Sequence, residues 1–592
     1  MILQPILFPR EDVCKETELY YRSDFKQFGC NILLPPHQTI SFDSYFNSFS
    51  IDNWKEHTSI SNLSLNLKIK GKCSIELFEA TLINGQVQNR LLSTHEKKEI
   101  DESITILFPD IANIHGICFF KISSKEESCR IIDGFYGTEI ISGSTNSVKI
   151  GIGICTYKRE SFVLKNLRAI QDSILDNPQS ELYNKLEIII SDNGQTLHNF
   201  KYAHPKVQIF PNINAGGSGG FARCMIEVIS QNSDLSLTHF ILMDDDILLD
   251  PAILVRTYLF LCCLKEESRQ KFLGGAMLKL ENMSEQAISG CIWSASDGVR
   301  FCNPNSNLSN VSNIMKNLNN RDANFAPWFY CCIPIQYIRK DNLPLPFFFQ
   351  YDDTEFGLRE SSSVIVLNGI SVWHSFLSKN NTCKQYCFYR NSKIVKLLKQ
   401  TSGKILSTKK ELTLAFINLV GTYRYLDWIA LSQAEIDLWQ GTKSLKDKKT
   451  IVFCQKIIKM SYPQCEANEI PTKATSFSTK KFDNKTWSFL RKIVFAANIF
   501  NTLLPKLKND LIISNLNDLS PNLLRFKKVI YFHQDESVYT IYQSDFRLFF
   551  WSILQFIKVL FHPKEKQEDL QIDLIKNGAT IKTMDFWKQY LR

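Results

Sequence analysis

The chain has 592 residues, 44% apolar and 12% aromatic, with a formal net charge of +9. So long a chain exceeds one hydrophobic core and divides into several domains, and so apolar a composition excludes global disorder. The start, "MILQPILFPREDVCKE", lacks the uninterrupted apolar core of a secretory signal, and no run reaches the roughly 18 apolar residues of a membrane span, so a cytoplasmic location is expected.

Residues 1–146 carry short alternating runs such as "SLNLKIKGKCSIELFEATL" and "SITILF", which predict a β-sandwich. From "SVKIGIGICTYKRE" onward, residues 147–385 change texture. The strand "IGIGICT", a helix over about 161–175, the strand "LEIIISDNG", a glycine-rich turn, a second helix and the strand "THFILMDDD" follow one another. This is the βαβ rhythm of an α/β domain with a helix-covered parallel sheet. The Asn- and Ser-rich stretch 302–324 reads as a long surface loop. Residues 386–592 read as mainly helical, interrupted by a polar linker at 471–486.

The basic excess sits at the end, where residues 441–592 hold 25 Lys and Arg against 14 Asp and Glu. It is not interleaved with stacking aromatics in a recognisable module, so no nucleic-acid partner is expected. Within 545–562, Asp545, Ser552, Gln555, Lys558 and His562 fall on one helical stripe and leave a broad aromatic-rich face. That helix either rests on an anionic membrane surface or packs in a bundle or oligomer interface. The 17 cysteines are scattered and read as reduced thiols; Cys383 and Cys387 have no second pair at zinc-site spacing and read as core residues.

The chemistry concentrates in two acidic clusters. In an extended strand end, Asp244 and Asp246 point to one side and Asp245 to the other. Two converging carboxylates repel each other unless a cation lies between them, and hard oxygen ligands suit Mg²⁺ or Mn²⁺. Thr156 and Arg159 lie where the first predicted strand ends, at the ligand-binding edge of such sheets. Asp192 and Asn193 end the second and are available to a nucleoside. "NINAGGSGGFARCM" brings a glycine backbone and a helix N-terminus to the same edge, suited to phosphate. The second cluster, "FFFQYDDTEFGLRE", places Asp353 after three phenylalanines, where a carboxylate can be tuned into a general base. Asp352, Asp353 and Glu355 also suit a helix N-terminus. His374 in "VWH" is a candidate third metal ligand.

"CTYKR", "SDNG", "NINAGGSGGFAR", "MDDDI", "YDDTEFGLR" and "VWH" together resemble the motifs of family 2 glycosyltransferases, and most nearly the mycobacterial galactofuranosyltransferases of cell-wall galactan. "ISFDSYFNSFSIDNW" is similar to that group's N-terminal β-sandwich. The resemblance implies a GT-A core and an inverting transfer from UDP-galactofuranose with a divalent cation, Mn²⁺ or Mg²⁺. It implies that Asp244, Asp246 and His374 hold the metal and that Asp353 is the base. Arg159, Asn193 and Asn214 would hold UDP, joined in the donor site by Thr156, Asp192, Gly216, Gly217, Asp245 and Trp293. Trp328, Phe329 and Tyr330 would form an aromatic acceptor wall, with Asp352 and Glu355 binding the acceptor. The expected partners are a UDP-sugar, a glycan or glycolipid acceptor, the inner-membrane surface and further copies of the chain. A family 2 transferase for another nucleotide sugar, or a non-catalytic carbohydrate-binding protein on the same fold, are the competing readings.

Overall fold

The computed structural model describes residues 1–592 apart from 98–100, 140–144, 201, 361–362, 376–381, 401–402, 461, 467–474, 477–497, 506–510, 514–527, 533–537 and 564–565. It divides into two units, one of Met1–Pro344, Asp353–Phe376 and Leu591–Arg592, the other of Leu345–Asp352 and Leu377–Tyr590.

The first unit opens with two antiparallel sheets. One orders Ile2–Pro5, Cys129–Gly137, Ser64–Lys70 and Asp101–Leu107; the other orders Thr39–Ser41, Ile117–Ser124, Cys73–Ile83 and Gln86–Lys97. Alternation drives the burial: Leu65, Leu67 and Ile69 face inward along one strand, as do Cys73, Ile75 and Leu77 along another. Phe120 from one sheet and Tyr136 from the other meet with ring centroids 6.1 Å apart.

A mixed sheet follows. Its strands run Val207–Pro211, Leu186–Asp192, Ile150–Thr156, His239–Asp244, Tyr330–Pro334 and Phe272–Lys279; the first four are parallel. Leu186–Asp192 is buried at every position, and Ile150, Ile152 and Ile154 are buried with it. That is why these strands read as continuous apolar runs: burial on both faces leaves no polar alternation. In register, Thr156 lies opposite Asp192 and Cys155 opposite Asp244, so three strands end on one edge. The strand Val364–His374 pairs with Phe272–Lys279, and His374 lies opposite Ile247 just beyond the three aspartates. The segment between the sheet strands contacts this part of the unit, Phe46 from a turn on Trp373 and Trp54 from the helix Ile51–His57 on Phe260, at 5.7 and 5.0 Å.

Helix Gly216–Leu235 starts at the same edge and packs very close to the first strand. A methyl group added at Gly220 would overlap Cys155 Sγ and come within 3.2 Å of Asn193 Nδ2. We expect Gly220→Ala to destabilise the first unit by roughly 1–3 kcal/mol, the usual cost of overpacking, seen as a lower melting temperature.

The Asn- and Ser-rich stretch differs from its sequence reading as a loop. It contains the helix Val311–Lys316, capped by Asn310 onto the Ser312 amide at 2.9 Å. The buried Asn317 side chain donates to Gln286 Oε1 at 2.8 Å and Asn368 Oδ1 at 3.1 Å. Composition indicated turns, but the amides are spent on tertiary hydrogen bonds that no local pattern encodes.

The second unit is largely helical, with Thr382–Lys399, Lys409–Gly421, Tyr425–Trp439, Lys449–Ile458, Phe546–Phe561 and Gln567–Lys576 among its helices. It also holds a sheet that the helical expectation omits, in which Lys528–Phe532 pairs antiparallel with Val538–Gln543. Both strands are short and β-branched or aromatic at most positions, which fits pleated surfaces better than helices. The polar linker 471–486 lies outside the described residues except for Thr475–Ser476.

Helix Phe546–Phe561 splits its polar stripe, with Ser552 inside and Lys558 exposed. Ser552 is fully buried, with Phe549 and Val559, in a cluster with Phe416, Tyr425 and Trp428. Trp428 Nε1 donates to Ser552 O at 3.0 Å, and Phe556 stacks on Phe416 at 4.1 Å. The exposed side carries Phe546, Phe550, Leu554, Ile557 and Phe561, the last 79% exposed. The bundle took the side with the small Ser552 because it allows close approach to Trp428.

Candidate active site

Asp244 is the last residue of its strand, and Asp245 and Asp246 lie in the bend that follows. Asp244, Asp246 and His374 bring ligand atoms within 4.8 Å of one another. Asp245 accepts from Arg159 Nη1 at 3.0 Å and, at 3.4 Å, from the Tyr157 amide. Arg159 also reaches Asp246 at 2.5 Å, and His374 Nε2 lies 3.0 Å from Asp246 and 4.0 Å from Asp244. The other ring nitrogen, Nδ1, faces Ser375 O at 2.7 Å. A carbonyl fixes Nδ1 as the protonated nitrogen and leaves Nε2 toward the carboxylates, as in metal-binding histidines.

Charge explains the arrangement. Burial would lower the His374 pKa, but the hydrogen bond to Asp246 and the charges of Asp244 and Asp246 raise it to about 9. Burial, opposed by His374 and reinforced by the neighbouring aspartates, pushes Asp244 upward; with 40% of its side chain exposed, water screens part of that shift. Asp246 is held below the usual carboxylate range: its own burial is outweighed by His374 and Arg159. The metal-free cluster is therefore a knot of carboxylates compensated by two cations, and a hard oxygen and imidazole donor set of this kind fits Mg²⁺ or Mn²⁺.

A cation entering this site competes with the proton on His374. We expect Mn²⁺ affinity to rise by about tenfold per pH unit from neutrality toward pH 9 and then level off, as one proton is released per ion bound. The same raised pKa means that the stabilisation His374 gives the metal-free protein is complete below the unfolded value near 6.5 and is lost as pH rises through about 9. Calorimetric titration at several pH values checks the first statement; a flat profile would remove His374 from the ligand set.

Other donor-site candidates prove to be scaffold as much as surface. Asp192 is buried, and its carboxylate accepts from the amides of Gly194, Thr196 and Leu197 at 3.1, 2.8 and 2.8 Å. It shapes the turn after the second strand. Asn193, also buried, donates to Gly216 O at 3.0 Å and accepts from Asn212 at 2.9 Å, tying that turn to the glycine helix. Asn214 Oδ1 accepts from the Gly216 amide at 3.1 Å. Gly216 has φ of +73°, a conformation that disfavours a side chain, and it leads with Gly217 into the helix N-terminus at the sheet edge. Thr156 is buried at the end of its strand.

Trp293 is held on both sides by Asn324, which accepts from its amide at 2.9 Å and donates to its carbonyl at 3.0 Å. Its indole N–H is buried and meets no hydrogen-bond partner among the described residues, a donor left for something else. Trp328 packs edge-on against Phe221 of the glycine helix at 5.2 Å and Phe356 of the acidic helix at 5.9 Å. It thereby links the helix Asp352–Glu360 to the sheet edge. Neither Phe221 nor Phe356 nor Asn324 drew attention in the sequence, where each is an ordinary residue near a motif. Phe329 is buried, and Tyr330 is fully buried with its hydroxyl 2.7 Å from Thr257 Oγ1. Tyr330 is core support for the strand beside the aspartates.

Within the acidic helix the carboxylates have separate fates. Glu355 is 2% exposed and lies 3.0 Å from Arg359 one turn along. Asp353 is partly exposed and accepts from the Thr354 amide at 2.6 Å. Its carboxylate lies near enough to Cys291 and Cys331 to raise both thiols, after burial, which raises them more. Asp352 is buried at the first helical position and groups with the second unit.

The arrangement is an acidic, metal-competent sheet edge flanked by a glycine-led helix and aromatic rings, and comparisons point the same way. Residues 3–134 match the family model "Galactofuranosyltransferase 2 N-terminal". The chain is 25% identical over 384 residues to galactofuranosyltransferase GlfT2 of Mycobacterium tuberculosis, covering 60% of this chain and 58% of that protein. The same identity extends over 395 residues of GlfT2 of Mycolicibacterium smegmatis, covering 61% and 58%. The chain thus resembles the mycobacterial galactan galactofuranosyltransferases and aligns with under two thirds of their length. Among solved structures, the mannosyltransferase PcManGT of Pyrobaculum calidifontis in complex with GDP-Man and Mn²⁺ covers 54% of this chain and 81% of its own, at 11% identity and a TM-score of 0.28, too low to carry an argument.

Proposed function

We propose that this chain is an inverting, metal-dependent glycosyltransferase with an N-terminal β-sandwich and a GT-A core, moving galactofuranose from UDP-galactofuranose to a hydroxyl of a growing, lipid-linked bacterial surface glycan. The observation that carries this reading is the convergence of Asp244, Asp246 and His374 at the carboxyl edge of a parallel sheet. The similarity to GlfT2 supports the choice of sugar.

In this reading Asp244, Asp246 and His374 hold Mn²⁺ or Mg²⁺, which when bound neutralises the diphosphate of the leaving group. Arg159 shares the charge of Asp245 and Asp246 and is 48% exposed on its side chain, so it would be available to the diphosphate of the donor. The Gly216–Gly217 turn presents backbone amides and the helix dipole to the phosphates. Trp293 offers its unpaired indole N–H to the donor, and Trp328 and Phe329 back the acceptor. Asp353 takes the proton from the acceptor hydroxyl, and inversion needs only that base and a stabilised leaving group, with no protein nucleophile.

No helix among the described residues is long and apolar enough to cross a membrane. The exposed stripe on Phe546–Phe561, with Arg547 and Lys558 exposed on the same helix, supports peripheral attachment to the cytoplasmic face of the inner membrane, where several copies of the chain would meet lipid-linked acceptors.

The test is transfer from UDP-galactofuranose, against a panel of other UDP-sugars, to galactose-terminated lipid-like acceptors with Mn²⁺ or with EDTA. Metal-dependent transfer of galactofuranose is the expected result. Transfer of a different sugar would keep the mechanism and replace the donor; no transfer or donor hydrolysis with any sugar would favour a carbohydrate-binding protein on this fold.

A further inference from the structure

The second unit gathers three cysteines that the sequence keeps apart. Cys383 and Cys387 are four residues apart on helix Thr382–Lys399, which sets both thiols on one face. Cys454 comes from helix Lys449–Ile458. All three are buried, at 1%, 0% and 0% exposure, and their sulfur atoms lie within 4.8 Å of one another. Cys387 Sγ and Cys454 Sγ are 3.9 Å apart. Two thiolates sharing a tetrahedral ion at about 2.3 Å would be separated by roughly 3.8 Å, whereas a disulfide needs about 2.05 Å.

A buried cation lies beside the three thiols. Arg390, one turn beyond Cys387, is fully buried, and its guanidinium donates to neutral oxygens: Tyr386 Oη and Thr450 Oγ1 at 2.8 Å each, Asn391 Oδ1 at 3.0 Å and Phe347 O at 3.1 Å. A buried cation is costly unless negative charge lies close by. Three thiolates leave one net negative charge around a dication and two around a monocation, which the guanidinium offsets beside Asp437, the carboxylate that accepts from Tyr386 Oη at 2.6 Å.

We propose that Cys383, Cys387 and Cys454 form a thiolate site for a soft d¹⁰ cation, zinc or copper(I), that ties the two helices of the second unit together. Soft thiolate donors select these ions over the Mg²⁺ or Mn²⁺ suited to the aspartate site, so the two sites sort metals by chemistry. The site serves stability rather than transfer, and its reading does not depend on the donor sugar.

The test uses the full chain purified under reducing conditions without chelator, as wild type, as Asp246→Ala to remove the other metal site, and as Asp246→Ala with Cys454→Ser. Elemental analysis distinguishes zinc from copper. About one equivalent of either should remain on Asp246→Ala and fall to about a tenth or less when Cys454 is also replaced. Loading the wild type with Co²⁺ should give a near-ultraviolet thiolate-to-cobalt charge-transfer band, a readout that does not rely on the variant folding. Asp246→Ala protein holding no zinc or copper, with no charge-transfer band from Co²⁺, would overturn the proposal and leave three core thiols. A Cys387–Cys454 disulfide found by mass spectrometry of the unreduced chain would overturn it equally.

Discussion

Asp246→Ala should abolish metal-dependent transfer, lowering kcat/KM by on the order of 10³-fold or more, about 4 kcal/mol of transition-state stabilisation. The size of the effect follows from position. Asp246 is the one carboxylate in contact with both cations, 3.0 Å from His374 and 2.5 Å from Arg159. Its removal deletes a proposed ligand and also the hydrogen bond that, with nearby charge, raises His374 against the effect of burial. The His374 pKa should therefore fall in the variant, measurable by NMR titration of the metal-free protein. Wild-type Mn²⁺ affinity in the variant would remove Asp246 from the metal site. An unchanged His374 titration would show that the geometry of the cluster differs from that described.

Asp353→Asn should lower kcat by roughly 10²- to 10⁴-fold, the range a general base contributes, while leaving donor and metal binding nearly intact. Asparagine keeps the size of the side chain and an oxygen for the Thr354 amide, which Asp353 now accepts at 2.6 Å, so the helix should keep its start. The discriminating readout is the split: binding of UDP and Mn²⁺ by calorimetry unchanged, turnover lost. If turnover survives, Asp353 is a helix-start carboxylate and the base lies elsewhere. If UDP binding falls with turnover, its role is structural.

Much of this was legible locally. A run of three aspartates at the end of an apolar strand marked an acidic cluster, and Asp244 and Asp246 do lie beside His374, but Asp245 and Asp246 sit in the bend past the strand and both meet Arg159, which alternation alone does not give. Continuous apolar runs identified the buried parallel strands because burial on both faces removes any need for polar alternation. The Asn-rich stretch was misread because amide side chains favour turns locally but here satisfy one another across 31 and 51 residues of chain. Asp192 and Asn193 look like free polar groups in sequence, and only the fold reveals that backbone amides and the glycine turn already occupy much of their hydrogen-bonding capacity.

The same division holds for the whole chain. The sequence by itself determined periodic quantities, namely which residues alternate, which runs are buried and which acidic clusters end a strand or begin a helix, since these follow from the 2-residue and 3.6-residue repeats of the backbone. Tertiary structure alone decided which distant groups share a point in space. His374 reaches Asp246 across 128 residues because its strand pairs with Ile247, Cys454 reaches Cys387 across 67 residues because two helices pack, and the Phe546–Phe561 helix turned Ser552 inward with Phe549 and Val559, where Trp428 Nε1 donates to the Ser552 carbonyl. Pairing and packing between elements carry no local period, so these juxtapositions became visible only when the chain was folded.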